Sequence, residues 1–394
     1  MRRESMEPAS LHRNRAPASR ATPRRRRVAG IALRVAIALT ITLVLGEIAA
    51  RLTGFVDRVN PFPRRLYAKT DAADLPYRLR PGVSLAVQGS HVAVNELGMR
   101  ERPGISQRPA AGVHRVLVLG DSVAFGWLQE VDHAFPRRLE EELGRDGGVA
   151  RGGRSERAEV LNAGVPGYNA SIEAAWFRDY GVALAPDIVL VAVNLNDFDR
   201  APHLNALGIL STEDDHVSPW SPANWSELYL ALRWGILLAR GDPRLARTGP
   251  HAQPAAAPTS AAGAPRPSPS AAWDPFDRYV SNLRKRFYRA PTEPEWTDLK
   301  RAWQDLARRA SDHGMRLVFV LFPDGDQIGV PDPDLSPQRR LLALCGELGL
   351  ECLDLTPAFE ATGEPGSRLY ADIMHPNDAG HALAARTVAE YLRR

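Results

Sequence analysis

The feature that most constrains this chain is a regular alternation of short, continuously apolar runs with longer amphipathic segments, beginning at residue 113. Strands that are apolar along their whole length are buried on both faces, as in a parallel sheet with helices on either side. The sequence therefore predicts an α/β fold with three layers, in which helices cover a central five-stranded parallel sheet. The predicted strands are residues 114–119, 159–165, 187–193, 316–322 and 350–355.

The segments between these strands have helical periodicity or the residues that mark helix ends. Ser336 and Pro337 suit the start of one helix, and Gly349 suits its end. In a parallel sheet the carboxyl ends of the strands share one edge, and we expect the chemistry of the protein at that edge. The predicted helices are residues 133–143, 171–184, 296–313, 336–348 and 378–392.

Ahead of this domain lies an apolar segment, residues 28–50, which is about long enough to cross a bilayer as a helix. Only Arg34 and Glu47 interrupt it, each near one end, where a charged side chain can reach the interface. The arginine-rich tail, residues 1–27, should stay in the cytoplasm by the positive-inside rule. We therefore predict a single-pass anchor in the inner (cytoplasmic) membrane and an extracytoplasmic remainder. A cleaved signal peptide and a buried helix of a soluble protein are the alternatives.

The basic tail also explains the net charge of +4. Its nine arginines and two glutamates give it more positive charge than the whole chain has, so the remainder is slightly acidic. No stretch interleaves basic with aromatic residues. Nucleic acid is therefore not an expected partner.

Two segments depart from the alternation of strands and helices. Residues 51–112 are rich in Pro and Arg, and we predict a stem that packs on the main domain, 113–394. Residues 198–295 form an insertion, in which the Pro/Ala/Ser-rich stretch 248–272 is predicted to be a flexible loop. Just before that stretch, residues 225–240 predict an apolar, aromatic helix packed against the domain. A lid over the site and a helix lying on the membrane surface are the alternatives.

The chain has two cysteines, Cys345 and Cys352, on a predicted helix and on the strand that follows it. Outside the cytoplasm this pair can form a disulfide. We expect instead two small, buried, apolar side chains. Neither the cysteines nor other residues have the spacing of metal ligands, so no metal is expected.

Four polar segments close the predicted strands or follow them. Each alone has an ordinary interpretation as a turn, a loop start or a helix cap. Together they offer chemistry, because a serine at a sharp turn after a glycine points its hydroxyl out at the edge of the sheet. A histidine oriented by a nearby aspartate is a competent base toward such a serine. The residues concerned are Ser122, Gly167, Asn196, Asp372 and His375.

In order and position these residues resemble the sequence blocks of the SGNH hydrolases, also called GDSL-type esterases. The resemblance covers about residues 113–200 and 296–394, and it implies a three-layer, flavodoxin-like α/β/α fold. The N-terminal apolar segment and residues 95–100 are similar to those of membrane-anchored bacterial members. One departure is Asn194, which stands where the third block usually has glycine. Asparagine adopts left-handed backbone more readily than other non-glycine residues, so we expect the turn to be retained.

The resemblance also implies a mechanism. Ser122 is the nucleophile, His375 the base that takes its proton, and Asp372 the carboxylate that orients the imidazole. The oxyanion hole consists of the N–H groups of Ser122 and Gly167 and the side-chain amide of Asn196. No metal or organic cofactor is implied.

The activity that follows is a serine-dependent esterase removing O-acyl or acetyl groups from a cell-envelope or other extracytoplasmic ester, such as a polysaccharide. The expected partners are that small-molecule or glycan ester and the membrane. An O-acetyltransferase for an extracytoplasmic glycan would use the same residues and is the first alternative. A non-catalytic binding or scaffold domain of the envelope is the second, and the complete set of site residues argues against it.

Overall fold

A computed structural model describes residues 23–59, 62–87, 89–145, 149–151, 154–195, 197–198, 203–211, 221–240 and 292–394. The described strands are β1 Tyr67–Lys69, β2 Tyr77–Leu79, β3 Ser84–Val87, β4 Ser90–Ala93, β5 Val113–Gly120, β6 Val149–Arg151, β7 Arg154–Asn162, β8 Ile188–Val193, β9 His203–Leu204, β10 Leu210–Ser211, β11 Arg316–Leu321 and β12 Glu351–Asp354. The described α-helices are α1 Pro23–Thr53, α2 Phe55–Val59, α3 Ser122–Phe125, α4 Phe135–Arg145, α5 Ala170–Trp176, α6 Glu227–Ala239, α7 Glu293–Asp312, α8 Ser336–Leu348, α9 Thr356–Glu360, α10 Gly366–Leu369 and α11 Asp378–Leu392.

The central sheet has the strand order β12-β11-β8-β5-β7-β6. Its first five strands pair in parallel, which confirms the predicted five-stranded parallel sheet. Strand β6 extends the sheet at one edge and pairs antiparallel with β7. At three residues this added strand is too short to show a periodic pattern in the sequence.

The two faces of the sheet carry separate cores because successive strand residues point to opposite sides. In β5, Val116 and Val118 lie in the core that contains Phe135 of α4. Leu117 and Leu119, also of β5, lie in the core that contains side chains of α5, α7 and α8. Helices therefore cover both faces, and the predicted three-layer architecture is confirmed.

Three predicted helices differ from the structure at their ends, and one of them, α7, begins three residues earlier than predicted, at Glu293. Residues 171–184 do not form one regular helix, since α5 is followed by a wider turn, Phe177–Gly181, and a short 3-10 helix, Val182–Leu184. Helix α4 begins two residues later than predicted, at Phe135, after the 3-10 turn Val131–His133. In the last two places the apolar spacing continues beyond the regular α-helix, which explains why the sequence pattern misplaces the boundary.

The segment between α2 and β5 folds into two hairpins, β1/β2 and β3/β4. Its Tyr67 and Tyr77 are buried in the same core as Leu117 of β5. The hydroxyl of Tyr77 donates to the carbonyl oxygen of Pro166 at 3.2 Å, and the hydroxyl of Tyr168 donates to that of Tyr77 at 2.6 Å. These bonds join the hairpins to the loop that follows β7.

Helix α1 is long and apolar enough to cross a membrane, because Arg27–Thr53 contains an 18-residue window with a mean hydropathy of 2.3 in which no residue is buried. A signal sequence has the same properties. Its end does contact the rest of the chain, because Ala50 is buried and Glu47 bonds to residues at the start of α6.

The predicted insertion, 198–295, is described only in part, and its Pro/Ala-rich stretch 248–272 lies outside the described residues. Helix α6 falls within the predicted helix 225–240. Its Leu230 packs with Val56 of α2 and with Ile209, which adjoins β10. The described contacts of α6 thus include α1, α2, Ile209 beside β10 and, through Glu227, the 3-10 turn Arg64–Leu66.

The expectation of two separate cysteines is wrong, because Cys345 and Cys352 form a disulfide. Cys345 lies in α8 and Cys352 in β12, as predicted. Gly349, in left-handed conformation at the end of α8, turns the chain back so sharply that the two Cα atoms come within 6.3 Å. That distance falls in the usual range for a bridge, and the sequence alone does not give it.

Candidate active site

Strand β5 ends in a glycine because the chain turns there into α3. Gly120 has φ +148°, and a Cβ atom at this position would lie 2.7 Å from the Cβ of Ala124. Asp121 then caps α3, since its carboxylate accepts a hydrogen bond from the N–H of Val123 at 2.8 Å. Together these two residues place Ser122 at the carboxyl edge of the sheet, as the first residue of α3.

The Ser122 hydroxyl faces a histidine from the other end of the domain. Its Oγ lies 2.9 Å from Nε2 of His375, a hydrogen bond between residues 253 positions apart. Ser122 itself is almost fully buried, and its Oγ is also 3.3 Å from Oδ2 of Asp121. The fold thus brings the serine and the histidine into direct contact.

Asp372 holds the opposite side of the imidazole. Its Oδ2 lies 2.8 Å from Nδ1 of His375, and its Oδ1 also accepts the backbone N–H groups of Met374 and His375. Burial raises the pKa of Asp372, but the charge of His375 and these hydrogen bonds outweigh burial and lower the pKa to about 2. Asp372 is therefore ionised at neutral pH and favours a proton on Nδ1, which leaves Nε2 to accept from Ser122.

The loop that carries His375 is held at both ends. The N–H of Ala371 donates to the carbonyl oxygen of His375 at 2.8 Å, and Tyr370 pairs with Pro376. Asn377 caps α11 with its side-chain oxygen and donates its amide to the carbonyl oxygen of Arg368. These bonds hold in place the loop that carries the imidazole.

His381, one turn further along, has a packing role. It is fully buried, and its Nδ1 accepts the N–H of Phe135 at the start of α4. Burial, together with the charges of His375 and Arg100, lowers its pKa to about 3. His381 is thus neutral at physiological pH and joins α11 to α4.

Of the two other predicted site residues, only Gly167 can be placed. It has φ +83° in the loop after β7, and this loop is tied to the end of β5 by the N–H of Val165, which donates to the carbonyl oxygen of Gly120 at 3.0 Å. Gly164 packs so closely on α3 that an added Cβ would lie 2.3 Å from the backbone nitrogen of Phe125. Asn196 lies outside the described residues.

Asn194 does not take the left-handed conformation that its place in the third block suggested. The non-glycine residues with positive φ in the described parts of the chain are Leu128, Ala185 and Asp332. The side-chain oxygen of Asn194 instead accepts the backbone N–H of Leu195, and the backbone N–H of Asn194 donates to Oδ2 of Asp197 at 3.1 Å. Side-chain hydrogen bonds thus shape the turn that follows β8.

Arg100 is a supporting residue whose contacts the sequence does not reveal. Its guanidinium is completely buried and donates to the carbonyl oxygens of Phe125 and Gly126 at 2.9 and 2.7 Å, at the carboxyl end of α3. It donates further to those of His91 and Gln129. The sequence feature that points to Arg100 is segment 95–100, which ends at this arginine and is similar to that of membrane-anchored members of the family. Arg100 holds the helix that begins with Ser122.

Glu173 of α5 is a second carboxyl group that the sequence analysis does not single out. It is almost fully buried, and neither of its carboxyl oxygens has a hydrogen-bond partner among the described residues. Burial, and then the nearby charge of Asp121, raise its pKa well above the usual range. Burial and the neighbouring Asp121 therefore favour the protonated, neutral form of Glu173.

The fold and this geometry define a class of protein. A parallel α/β sheet with a hydroxyl, an imidazole and a carboxylate in hydrogen-bonded series at its carboxyl edge is the arrangement of hydrolases that work by acyl transfer. Residues 118–383 match the model of the GDSL-like lipase/acylhydrolase family. The chain belongs to this family and is a carboxylic ester hydrolase.

Solved structures with a similar course of the chain include an acetyl xylan esterase, AlAXEase, at 13% identity and a TM-score of 0.36, covering 70% of this chain and 96% of that one. TesA aligns at 13% identity and a TM-score of 0.37, covering 71% and 98%. A catalytic mutant of Axe2, an acetylxylan esterase from Geobacillus stearothermophilus, aligns at 13% identity and a TM-score of 0.38, covering 71% and 94%. No curated protein matches this chain.

Proposed function

We propose that this protein is a serine-dependent O-acyl esterase that acts outside the cytoplasm, at the surface of the membrane that holds it, on an acylated component of the cell envelope such as an acetylated polysaccharide. The observation that carries the proposal is the continuous hydrogen-bonded series from Ser122 through His375 to Asp372.

The proposed reaction begins when Nε2 of His375 takes the proton of the Ser122 hydroxyl as Oγ attacks the ester carbonyl carbon. Asp372 stabilises the imidazolium that forms. The tetrahedral intermediate collapses as His375 returns the proton to the leaving alcohol, which leaves an acyl group on Ser122. A water molecule, activated by the same imidazole, then attacks the acyl-enzyme, releases the acid and restores the serine.

The negative charge on the substrate oxygen needs donors in the transition state. We propose the N–H groups of Ser122 and Gly167 and the side-chain amide of Asn196 for this role. Support comes from the loop that carries Gly167, which is tied to the end of β5 beside α3. The brace that Arg100 provides at the other end of α3 would keep the first of these donors in position.

The proposed location follows from helix α1 and the arginines before it. Moving the arginine-rich tail across the bilayer would dehydrate many charges, each at a cost of at least roughly 2.5 kcal/mol. A span over Arg27–Thr53 then leaves the catalytic domain on the opposite side. The envelope glycans and lipids of that compartment are the substrates within reach.

Location is tested with two reporters fused in turn after Arg394, one active only outside the cytoplasm and one active only inside. We expect signal from the outside reporter and retention of the full-length chain in the membrane pellet. Signal from the inside reporter alone would overturn the orientation, and a soluble catalytic domain that begins near Ala50 would show that α1 is cleaved.

Activity is tested on the full-length chain with a serine-reactive phosphonate and with acetylated polysaccharide. We expect labelling of Ser122 and release of acetate. Ser122→Ala should not be labelled, and its kcat/KM for acetate release should fall by roughly 10⁴-fold or more. Ser311→Ala, at an exposed position in α7, should keep both properties. Acetyl transfer to an added bare glycan in place of acetate release would identify a transferase, and the absence of labelling and turnover would exclude both enzymes.

A further inference from the structure

Glu47 is an acidic residue near the end of an otherwise apolar helix, and the structure shows what its carboxylate binds. It accepts the hydroxyl of Ser226 at 2.8 Å and the backbone N–H groups of Glu227 and Leu228 at 3.1 and 3.0 Å. The first N–H groups of a helix have no partner within that helix. Glu47 supplies one for α6 and thereby fastens the amino end of α6 to α1.

The contact between α1 and α6 is confined to the carboxyl end of α1. Gly46 lies directly against Leu228, where an added Cβ would come within 3.0 Å of the leucine side chain. The large apolar side chains of α1 from Ile31 to Leu45 are all at least half exposed. About 20 residues cross the hydrocarbon core, so a span that starts after Arg27 reaches its far boundary near Glu47. Helix α6 therefore begins at the level of the membrane surface.

Helix α6 has two different faces. On the inner face, Leu230 is buried against Val56, and Glu227 forms an ion pair with Arg64 at 2.5 Å. Arg64 also pairs with Asp57, so the inner face is tied to the segment that follows α1.

The outer face of α6 carries Tyr229, Leu232 and Ile236 at helical spacing, and Trp225 lies just before the helix begins. We define these four residues as the apolar stripe. Their exposed fractions are 54%, 40%, 59% and 51%. Large apolar side chains in such a row are unusual on a surface that meets only water. Arg233 and Arg240, both exposed, flank the stripe on the same side of the helix.

We propose that this stripe is a second membrane contact, with α6 lying in the interface of an anionic bilayer beside the end of α1. Tryptophan and tyrosine prefer the level of the lipid headgroups, leucine and isoleucine enter the acyl boundary, and the arginines attract anionic headgroups. The proposal rests on the membrane anchorage proposed above. Its consequence is that the catalytic domain is held at a fixed height and tilt, because α1 alone would leave it free to swivel.

The test uses the full-length protein in vesicles of phosphatidylcholine and phosphatidylglycerol. Because both native cysteines are in a disulfide, a single introduced cysteine can be labelled with an environment-sensitive fluorophore. The labelled positions are Leu232→Cys and Ile236→Cys on the stripe, Leu39→Cys within the span, and Arg301→Cys on the exposed side of α7. Lipids that carry a quencher in the acyl chain report membrane contact, and aqueous iodide reports exposure to water.

We expect the labels at 232 and 236 to be quenched by the lipids several-fold more strongly than the label at 301, and to be protected from iodide. Replacing the phosphatidylglycerol with phosphatidylcholine should reduce this quenching. If the label at 39 is quenched by lipid and the labels at 232 and 236 are as accessible to iodide as the label at 301, α1 is in the membrane and the inference about α6 is wrong. A third outcome is protection of the labels at 232 and 236 from iodide without lipid quenching, together with energy transfer between labelled copies. That result would overturn the inference, because it would show that the stripe is buried in a dimer. Hydrolysis of a soluble ester, measured on the same samples, reports the proposed function separately.

Discussion

Two carboxylates, in two regions of the molecule, fix their surroundings by the same physical means. At the catalytic edge of the sheet, Asp372 accepts two backbone N–H groups and the ring N–H of His375. At the end of α1, Glu47 accepts two backbone N–H groups and a hydroxyl. The fixed group is a reactive imidazole in the first region and a whole helix in the second. Multiple hydrogen bonds to one ionised oxygen pair can thus serve chemistry or assembly.

The two regions differ in how far along the chain the partners lie. Asp372 bonds to residues two and three positions away, whereas Glu47, besides Arg51 four positions away, bonds to residues 179 to 181 positions away. A motif of residues a few positions apart can be recognised in the sequence, whereas hydrogen bonds between such distant residues cannot. The two roles should therefore be separable by mutation, because substituting one carboxylate should leave the hydrogen bonds of the other intact.

The largest effect is expected from Asp372→Asn. An amide cannot stabilise the imidazolium and favours the wrong tautomer of His375, so kcat should fall by about 10³- to 10⁴-fold. Steady-state hydrolysis of an aryl acetate measures this loss. Lipid quenching of a label at position 232 should not change. An Asp372→Asn protein with near-normal kcat would show that the carboxylate is not needed to orient the base.

Asn196→Ala is the next test of the catalytic edge. Removing one donor to the oxyanion costs roughly 10² to 10³ in kcat, with little change in KM. Asp312→Ala, at an exposed position in α7, serves as the control. A kcat equal to that of the unaltered protein would assign the oxyanion hole to backbone groups alone.

His381 gives a pH-dependent test of the packing behind the site. Its pKa is about 3 in the folded protein and about 6.5 when unfolded. Between these values the unfolded chain binds a proton that the folded chain does not, so stability falls as pH falls from about 6.5 towards 3. His381→Gln should flatten this slope by up to about 1.4 kcal/mol per pH unit, as measured by denaturant unfolding at several pH values. His313→Gln, on the surface, should keep the slope, and an unchanged slope in His381→Gln would assign it to other groups.

The smallest effect is expected from Glu47→Ala. Losing a helix cap costs about 1 kcal/mol, equivalent to a roughly fivefold loss of hydrogen-exchange protection in α6. Exchange measured on the full chain in lipid should show this at residues 230–236, while kcat on a soluble ester stays the same. Thr40→Ala, on the exposed surface of α1, is the control. Equal protection in both variants would mean that Glu47 does not hold α6.

The same contrast between local and distant partners explains what could be predicted from the sequence. The five parallel strands follow from local apolar runs, and the Asp372–His375 pair from a spacing of three residues. The short edge strand β6, the contacts of Arg100 with the end of α3 and the disulfide all depend on distances between segments that have no local pattern. The turn expected after β8 is present, with the N–H of Asp197 bonded to the carbonyl oxygen of Asn194, but side-chain hydrogen bonds rather than left-handed backbone at Asn194 shape it.

The bond between Cys345 and Cys352 carries a consequence for the life of the protein in the cell. Disulfides persist in oxidising compartments, whereas the cytosol keeps cysteine thiols reduced. A chain whose domain failed to cross the membrane would retain two free thiols, whereas a correctly exported one would retain none. The oxidation state of this single pair is therefore a lasting record of where the domain folded, and it can be determined by alkylation without adding any reporter to the chain.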